Sequence, residues 1–108
     1  MGAPDVELQW WEGCPSTERA RAELREVLDA LGLDGLEIRM IKIADDDQAR
    51  AMRFPGSPTI LIDGRDVVNP NPEEPIGLTC RVYRRRDGSV SPTPDPADVR
   101  DAIQGVIQ

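Results

Sequence analysis

Histidine is missing from this 108-residue chain. That excludes Ser-His-Asp and Cys-His catalysis, and every zinc site that depends on imidazole. Cysteine is scarce. Cys14 and Cys80 are the two in the sequence, too few for a four-cysteine zinc site or for intrachain ligation of an iron–sulfur cluster. No apolar run approaches the ~20 residues that a bilayer span requires. The opening stretch Met1-Gly2-Ala3-Pro4-Asp5 has neither the basic nor the apolar region of a secretory signal. Val6 stands where a myristoylation pattern needs Ser or Thr. Positive charge is also in short supply, with 13 basic residues against 20 acidic and a net charge of −7. Such a surface repels phosphate backbones and anionic lipids, so neither nucleic acid nor membrane is an expected partner. The basic run Arg84-Arg85-Arg86 is followed by Asp87-Gly88 and reads as a solvated turn.

What remains is globular composition, 39% hydrophobic and 31% charged, at a length that suits one domain. Val6-Glu7-Leu8-Gln9-Trp10 alternates as a half-buried strand does. Residues 17–31 then place Ala20, Leu24, Val27, Leu28 and Leu31 on one helical face, with Ser16 or Thr17 as cap and Gly32 and Gly35 as terminators. Residues 36–43 return to a strand pattern. Asp45, Asp46 and Asp47 open a short helix through Met52, where negative charge suits the N-terminal end of the helix dipole, a simpler use for them than a metal cluster. Thr59-Ile60-Leu61-Ile62 is a buried type of strand, Asp63-Gly64 a hairpin turn, and Asp66-Val67-Val68 its return. An irregular proline-rich loop over 69–79 and a second hairpin, Cys80–Arg84 with Ser89-Val90, precede a last helix. That helix has Asp95 at its cap, Pro96 at its first position, and Val99, Ala102, Ile103, Val106 and Ile107 on its apolar face. The order is β-α-β-α-β-β, an insertion over about 69–93, then α. We therefore expect an α/β fold: a mixed sheet with helices on both faces, its first three strands parallel and the fourth antiparallel.

The chemistry centres on Trp11-Glu12-Gly13-Cys14-Pro15-Ser16-Thr17, where a strand gives way to a helix. A thiol at that junction lies near the positive end of the helix dipole and near free backbone N–H groups. Both favour the thiolate, the nucleophilic and metal-binding form. Pro15 sets the backbone entering the helix, and Thr17, one turn on, is placed to donate its hydroxyl to the Cys14 sulfur. A plainer reading makes Cys14 a small buried hydrophobe. Trp10 continues the inward alternation and reads as core. Trp11 reads as a wall of the site mouth or as packing, and Phe54 and Tyr83 as packing.

Cys14-Pro15 at such a junction, followed by Phe54-Pro55-Gly56-Ser57-Pro58-Thr59 opening a later strand, resembles the thioredoxin superfamily over about residues 6–68 and the last helix. The resemblance implies a thioredoxin-like fold and a thiol–disulfide oxidoreductase of the cytoplasm. Cys14 would be its nucleophile and Pro58 would be cis and packed against Cys14. The backbone of Ser57 would be offered as an edge to an extended protein or small-molecule disulfide. It marks Trp11, Pro15, Ser57, Pro58 and Thr59 as substrate-facing, with no resident cofactor or metal and glutathione as a possible co-substrate. The position three residues after Cys14, a second cysteine in thioredoxins, is Thr17 here. Resolution then falls to an external thiol or to Cys80.

Where Cys80 lies depends on the hairpin. If Asp66-Val67-Val68 is the return strand, the chain comes back to the active-site end and Cys80 can approach Cys14, within the ~7 Å between Cα atoms that a disulfide needs. If residues 80–86 form the return, Cys80 starts at the far end and is a packing residue. The Asp63-Gly64 turn favours the first drawing. Three other functions stay open. A thioredoxin-like scaffold without redox activity would explain Thr17. A cluster-bridging monothiol glutaredoxin would carry Cys-Gly-Phe-Ser, where this chain has Cys14-Pro15-Ser16-Thr17. A narrower resemblance, over Cys14-Pro15, Gly56-Ser57-Pro58-Thr59-Ile60-Leu61-Ile62-Asp63-Gly64-Arg65-Asp66 and Gly77-Leu78-Thr79-Cys80-Arg81-Val82-Tyr83, is to short bacterial proteins of which some carry the name alkylmercury lyase. Two soft thiolates would suit mercuric ion.

Overall fold

A computed structural model describes residues 3–68 and 75–107. Nine elements follow one another: β1 (Val6–Trp10), α1 (Thr17–Ala30), β2 (Arg39–Lys42), α2 (Asp46–Ala51), β3 (Thr59–Ile62), β4 (Arg65–Asp66), β5 (Tyr83–Arg84), β6 (Val90–Ser91) and α3 (Pro96–Ile107). The first four strands form one mixed sheet in the order β2-β1-β3-β4, and β5 and β6 form a separate ribbon. The expected proline-rich loop falls partly outside the described residues, over 69–74.

The sheet departs from expectation in one strand direction. β1 and β2 are parallel, with Leu8 beside Met40, but β3 runs antiparallel to β1, with Val6 beside Ile62 and Gln9 beside Thr59. The cause is the connection. From Lys42 the chain needs to travel the length of the sheet to start a parallel strand, and α2, six residues long, spans only ~9 Å. Residues 43–58 therefore stay at the end where β1 and β2 finish, and β3 starts there. β4 then returns antiparallel through Asp63-Gly64, both at positive φ (49° and 82°) as a tight hairpin turn requires. Its ladder is short, Arg65–Asp66, continued by one bond from Val67 N–H to the Ile60 carbonyl.

Two cores follow from the alternation of β1 and β2. Val6, Leu8, Ile60 and Ile62 face Ala20, Leu24, Val27 and Leu28 of α1 and Val99 and Ile103 of α3, with Met40 packed alongside. Ile41, the next residue, points to the opposite face. There it joins a smaller cluster of Ile43, Ala49 of α2 and Phe54, against which Trp11 and Leu78 pack. Trp10 is only half-buried, packing on the large core with the Lys42 ammonium 5.9 Å from its ring centroid. Val106 and Ile107 end α3 exposed, outside the core expected for them.

The caps divide. Asp95 accepts from the Ala97 N–H at 2.9 Å and the Arg86 N–H at 3.0 Å. These bonds hold its carboxyl below the usual carboxylate range. Asp45 accepts from the Gln48 N–H and caps α2. Ser16, at the N-cap of α1, has angles (φ −99°, ψ 2°) that differ from the extended backbone side-chain capping uses, and its hydroxyl makes no cap bond. The arginine run is a largely exposed turn, as expected, and it also ties the ribbon down. Arg85 reaches Glu23 of α1 and Thr93, and Arg86 reaches Asp98 and Asp101 of α3, so the β5–β6 ribbon is tied to both helices. Among the described residues no helix is long and apolar enough to cross a membrane.

Candidate functional site

Cys14 lies in the turn between β1 and α1, closed by its N–H bonding to the Trp11 carbonyl at 3.1 Å. It precedes the N-cap Ser16 by two residues, and its sulfur is directed at the Ser57 loop. The thiol donates to the carbonyl oxygen of Ser57, 3.5 Å away, and is buried, 8% exposed. The Ser57–Pro58 peptide bond is cis. Gly13 makes the turn possible. The Trp11 indole lies against it, and a Cβ there would sit 2.0 Å from the ring. Trp11 is thereby folded onto the smaller core, half-buried, with its indole nitrogen unpartnered.

Opposite Cys14 stands the inserted segment. Ser57 donates its N–H to the Thr79 carbonyl at 2.8 Å and accepts the Arg81 N–H at 2.9 Å, an isolated parallel bridge with Cys80 at its centre. Both backbone groups of Ser57 that were expected to receive a substrate strand are thus taken by the chain itself, and Ser57 is fully buried. The bridge sets Cys80 beside Ser57, the residue whose carbonyl accepts from the Cys14 thiol, so the two cysteines are neighbours and the first drawing of the hairpin is the one found. Cys80 is exposed, and no disulfide joins it to Cys14. Its thiol is pushed up from the ordinary range, first by burial of the sulfur and then by the charge and hydrogen bond of Cys14.

The bridge is anchored by a buried network that the sequence reading passed over. The Arg81 guanidinium pairs with the Asp66 carboxylate at 2.7 Å and bonds Thr59 Oγ1 and the Val68 carbonyl. It lies 4.6 Å from the centroid of the Tyr83 ring. The Tyr83 hydroxyl in turn donates to the Pro58 carbonyl at 2.5 Å, and burial pushes its pKa up. Gly56 completes the fit. At φ +135° it occupies backbone that only glycine adopts readily, and a Cβ would come within 3.2 Å of both Arg81 N and the Thr79 oxygen. Two signals pointed here. Arg81 and Tyr83 alternate onto one face of a strand whose other residues are exposed, and glycine precedes Ser57-Pro58 where another backbone must come close.

The remaining candidates divide plainly. Pro15 is exposed beside the thiol. Pro58 is buried behind it. Thr59 is buried, its hydroxyl donating to the Gly56 carbonyl at 2.6 Å, so it shapes the Ser57 loop from within. Thr17 is close in sequence but does not make the expected bond to Cys14. Its hydroxyl is buried without a partner, as is that of Ser57. Because α1 begins at Thr17 itself, the helical repeat that would bring residue 17 over residue 14 has not started. Among the described residues no group of three or more potential ligands could hold a metal ion. The arrangement therefore offers two neighbouring thiols, one covered and one open, with an electron pair to exchange. Comparisons with family models, with curated proteins and with solved structures find no match to this chain.

Proposed function

We propose that this chain is a thioredoxin-like domain acting as a thiol–disulfide oxidoreductase of the cytoplasm, with Cys14 and Cys80 as its redox pair. The observation that carries the reading is the meeting of the two cysteines at Ser57, which bridges Cys80 and accepts from the Cys14 thiol. Cys80 supplies the second thiol that position 17 lacks. In the cycle the dithiol gives two electrons to a protein or small-molecule disulfide and becomes the Cys14–Cys80 disulfide. Two equivalents of an external thiol such as glutathione then return it to the dithiol.

The test is reduction of insulin disulfides, or exchange with glutathione disulfide, by the wild type against Cys14→Ser and Cys80→Ser. The expected result is measurable turnover by the wild type, lowered about a hundredfold or more by either substitution. Full turnover in Cys14→Ser would overturn the reading. The self-occupied Ser57 edge is what a scaffold domain without turnover would also have, and the same assay decides between the two.

A further inference from the structure

From the geometry of the pair we infer that Cys80 is the thiol that exchanges with external disulfides and that Cys14 is the covered thiol that closes the internal bond. The inference rests on the redox-pair reading and deepens it, reversing the order of action suggested by the likeness around Cys14.

Accessibility decides the order. Cys14 is 8% exposed, its thiol turned to the Ser57 carbonyl. Cys80 is exposed. It lines a groove of about 440 Å³ together with Pro55, Ile76, Leu78, Thr79 and Val82, and Cys14 is not among the residues lining that groove. Because Thr79 and Arg81 make the bonds to Ser57, the N–H and carbonyl of Cys80 itself point away from Ser57. Among the described residues no backbone hydrogen bond is made to them. An incoming disulfide meets the sulfur of Cys80 first.

The chemistry balances in that order. Cys80 gives its proton to solvent, and its thiolate attacks one sulfur of the external disulfide. The external S–S bond breaks, one half departs as a thiolate, and the other half stays on Cys80 as a mixed disulfide. Cys14, whose thiol donates to the Ser57 carbonyl, then gives its proton to solvent and attacks the Cys80 sulfur as a thiolate. The internal disulfide forms and the second half leaves as a thiolate, so the two protons released match the two thiolates expelled. Two electrons have passed from the protein to the external disulfide. Regeneration runs the same path backwards, an external thiolate attacking at Cys80 and expelling Cys14.

Glutathione disulfide is the probe, read by intact mass and peptide mapping. Serine in place of either cysteine keeps the covering volume. Cys14→Ser is expected to accumulate a glutathione adduct on Cys80. Cys80→Ser is expected to take one on Cys14 at least ~10-fold more slowly. An adduct on Cys14 in Cys80→Ser forming as fast as that on Cys80 in Cys14→Ser would overturn the order while leaving the pair intact. The wild type under the same conditions keeps the two questions apart. It is expected to end as the internal disulfide without a retained adduct, and a stable adduct with no internal disulfide would instead refute the redox pair beneath the inference.

Discussion

Replacing Arg81 with leucine is expected to cost about 3–5 kcal/mol of folding free energy, the range for breaking a buried ion pair from one side. The side chains of Arg81 and Asp66 are 2% and 9% exposed, so water screens their attraction little and solvates neither partner well. With the guanidinium gone, the Asp66 carboxylate keeps the Val68 N–H but loses the cation that neutralises it. The same substitution removes the bonds to Thr59 Oγ1 and the Val68 carbonyl that hold the segment carrying Cys80 against β3 and β4. Urea unfolding gives the stability, and timed oxidation gives the rate at which the Cys14–Cys80 disulfide closes. Both are expected to fall. Adding Asp66→Leu is expected to recover part of the stability, because the stranded charge is then removed too. A loss under about 1 kcal/mol for Arg81→Leu would mean that the network does not anchor the bridge.

Phe54→Ala is expected to have an effect of similar size for a different reason. Phe54 is fully buried at the centre of the smaller core, touched by Ile43 and Ala49, with Trp11 and Leu78 packed around it. Losing a buried phenyl ring removes its transfer free energy and leaves a cavity, together about 3–5 kcal/mol. Position makes the loss functional as well. Phe54 N–H bonds the Ala49 carbonyl and its own carbonyl accepts from Gly77 N–H. One residue thus joins α2, the Cys14 turn through Trp11, and the inserted segment through Gly77 and Leu78. Tryptophan fluorescence is expected to change with the urea midpoint. An unchanged midpoint would show that the Cys14 turn and the inserted segment are held without this core.

Much of the fold was legible because periodicity is local. The alternation of Val6 to Trp10, the apolar face from Ala20 to Leu28, and the Asp95-Pro96 helix start each depend on neighbours a few residues away. The direction of β3 does not. Thr59 to Ile62 reads the same whichever way it runs, and only the shortness of α2 decides it. At the site, Cys14 and the Ser57-Pro58 loop were readable as a motif. The occupant of the Ser57 edge was not, since the bonds from Thr79 and Arg81 span more than twenty residues. Burial of Arg81 was hidden for the same reason, because its carboxylate partner belongs to another hairpin, fifteen residues earlier. The Thr17 expectation failed on a smaller scale, by a helix that begins one turn too late to bring its hydroxyl over Cys14.

Peptide mapping without prior reduction, after gentle oxidation of the dilute protein, reads the meeting of the two cysteines most directly. We predict one cross-linked species, the Cys14 peptide joined to the Cys80 peptide, in a monomer lighter by two hydrogen atoms and formed at a rate independent of protein concentration. Two free thiols after that treatment, or disulfides that form only between molecules, would contradict it.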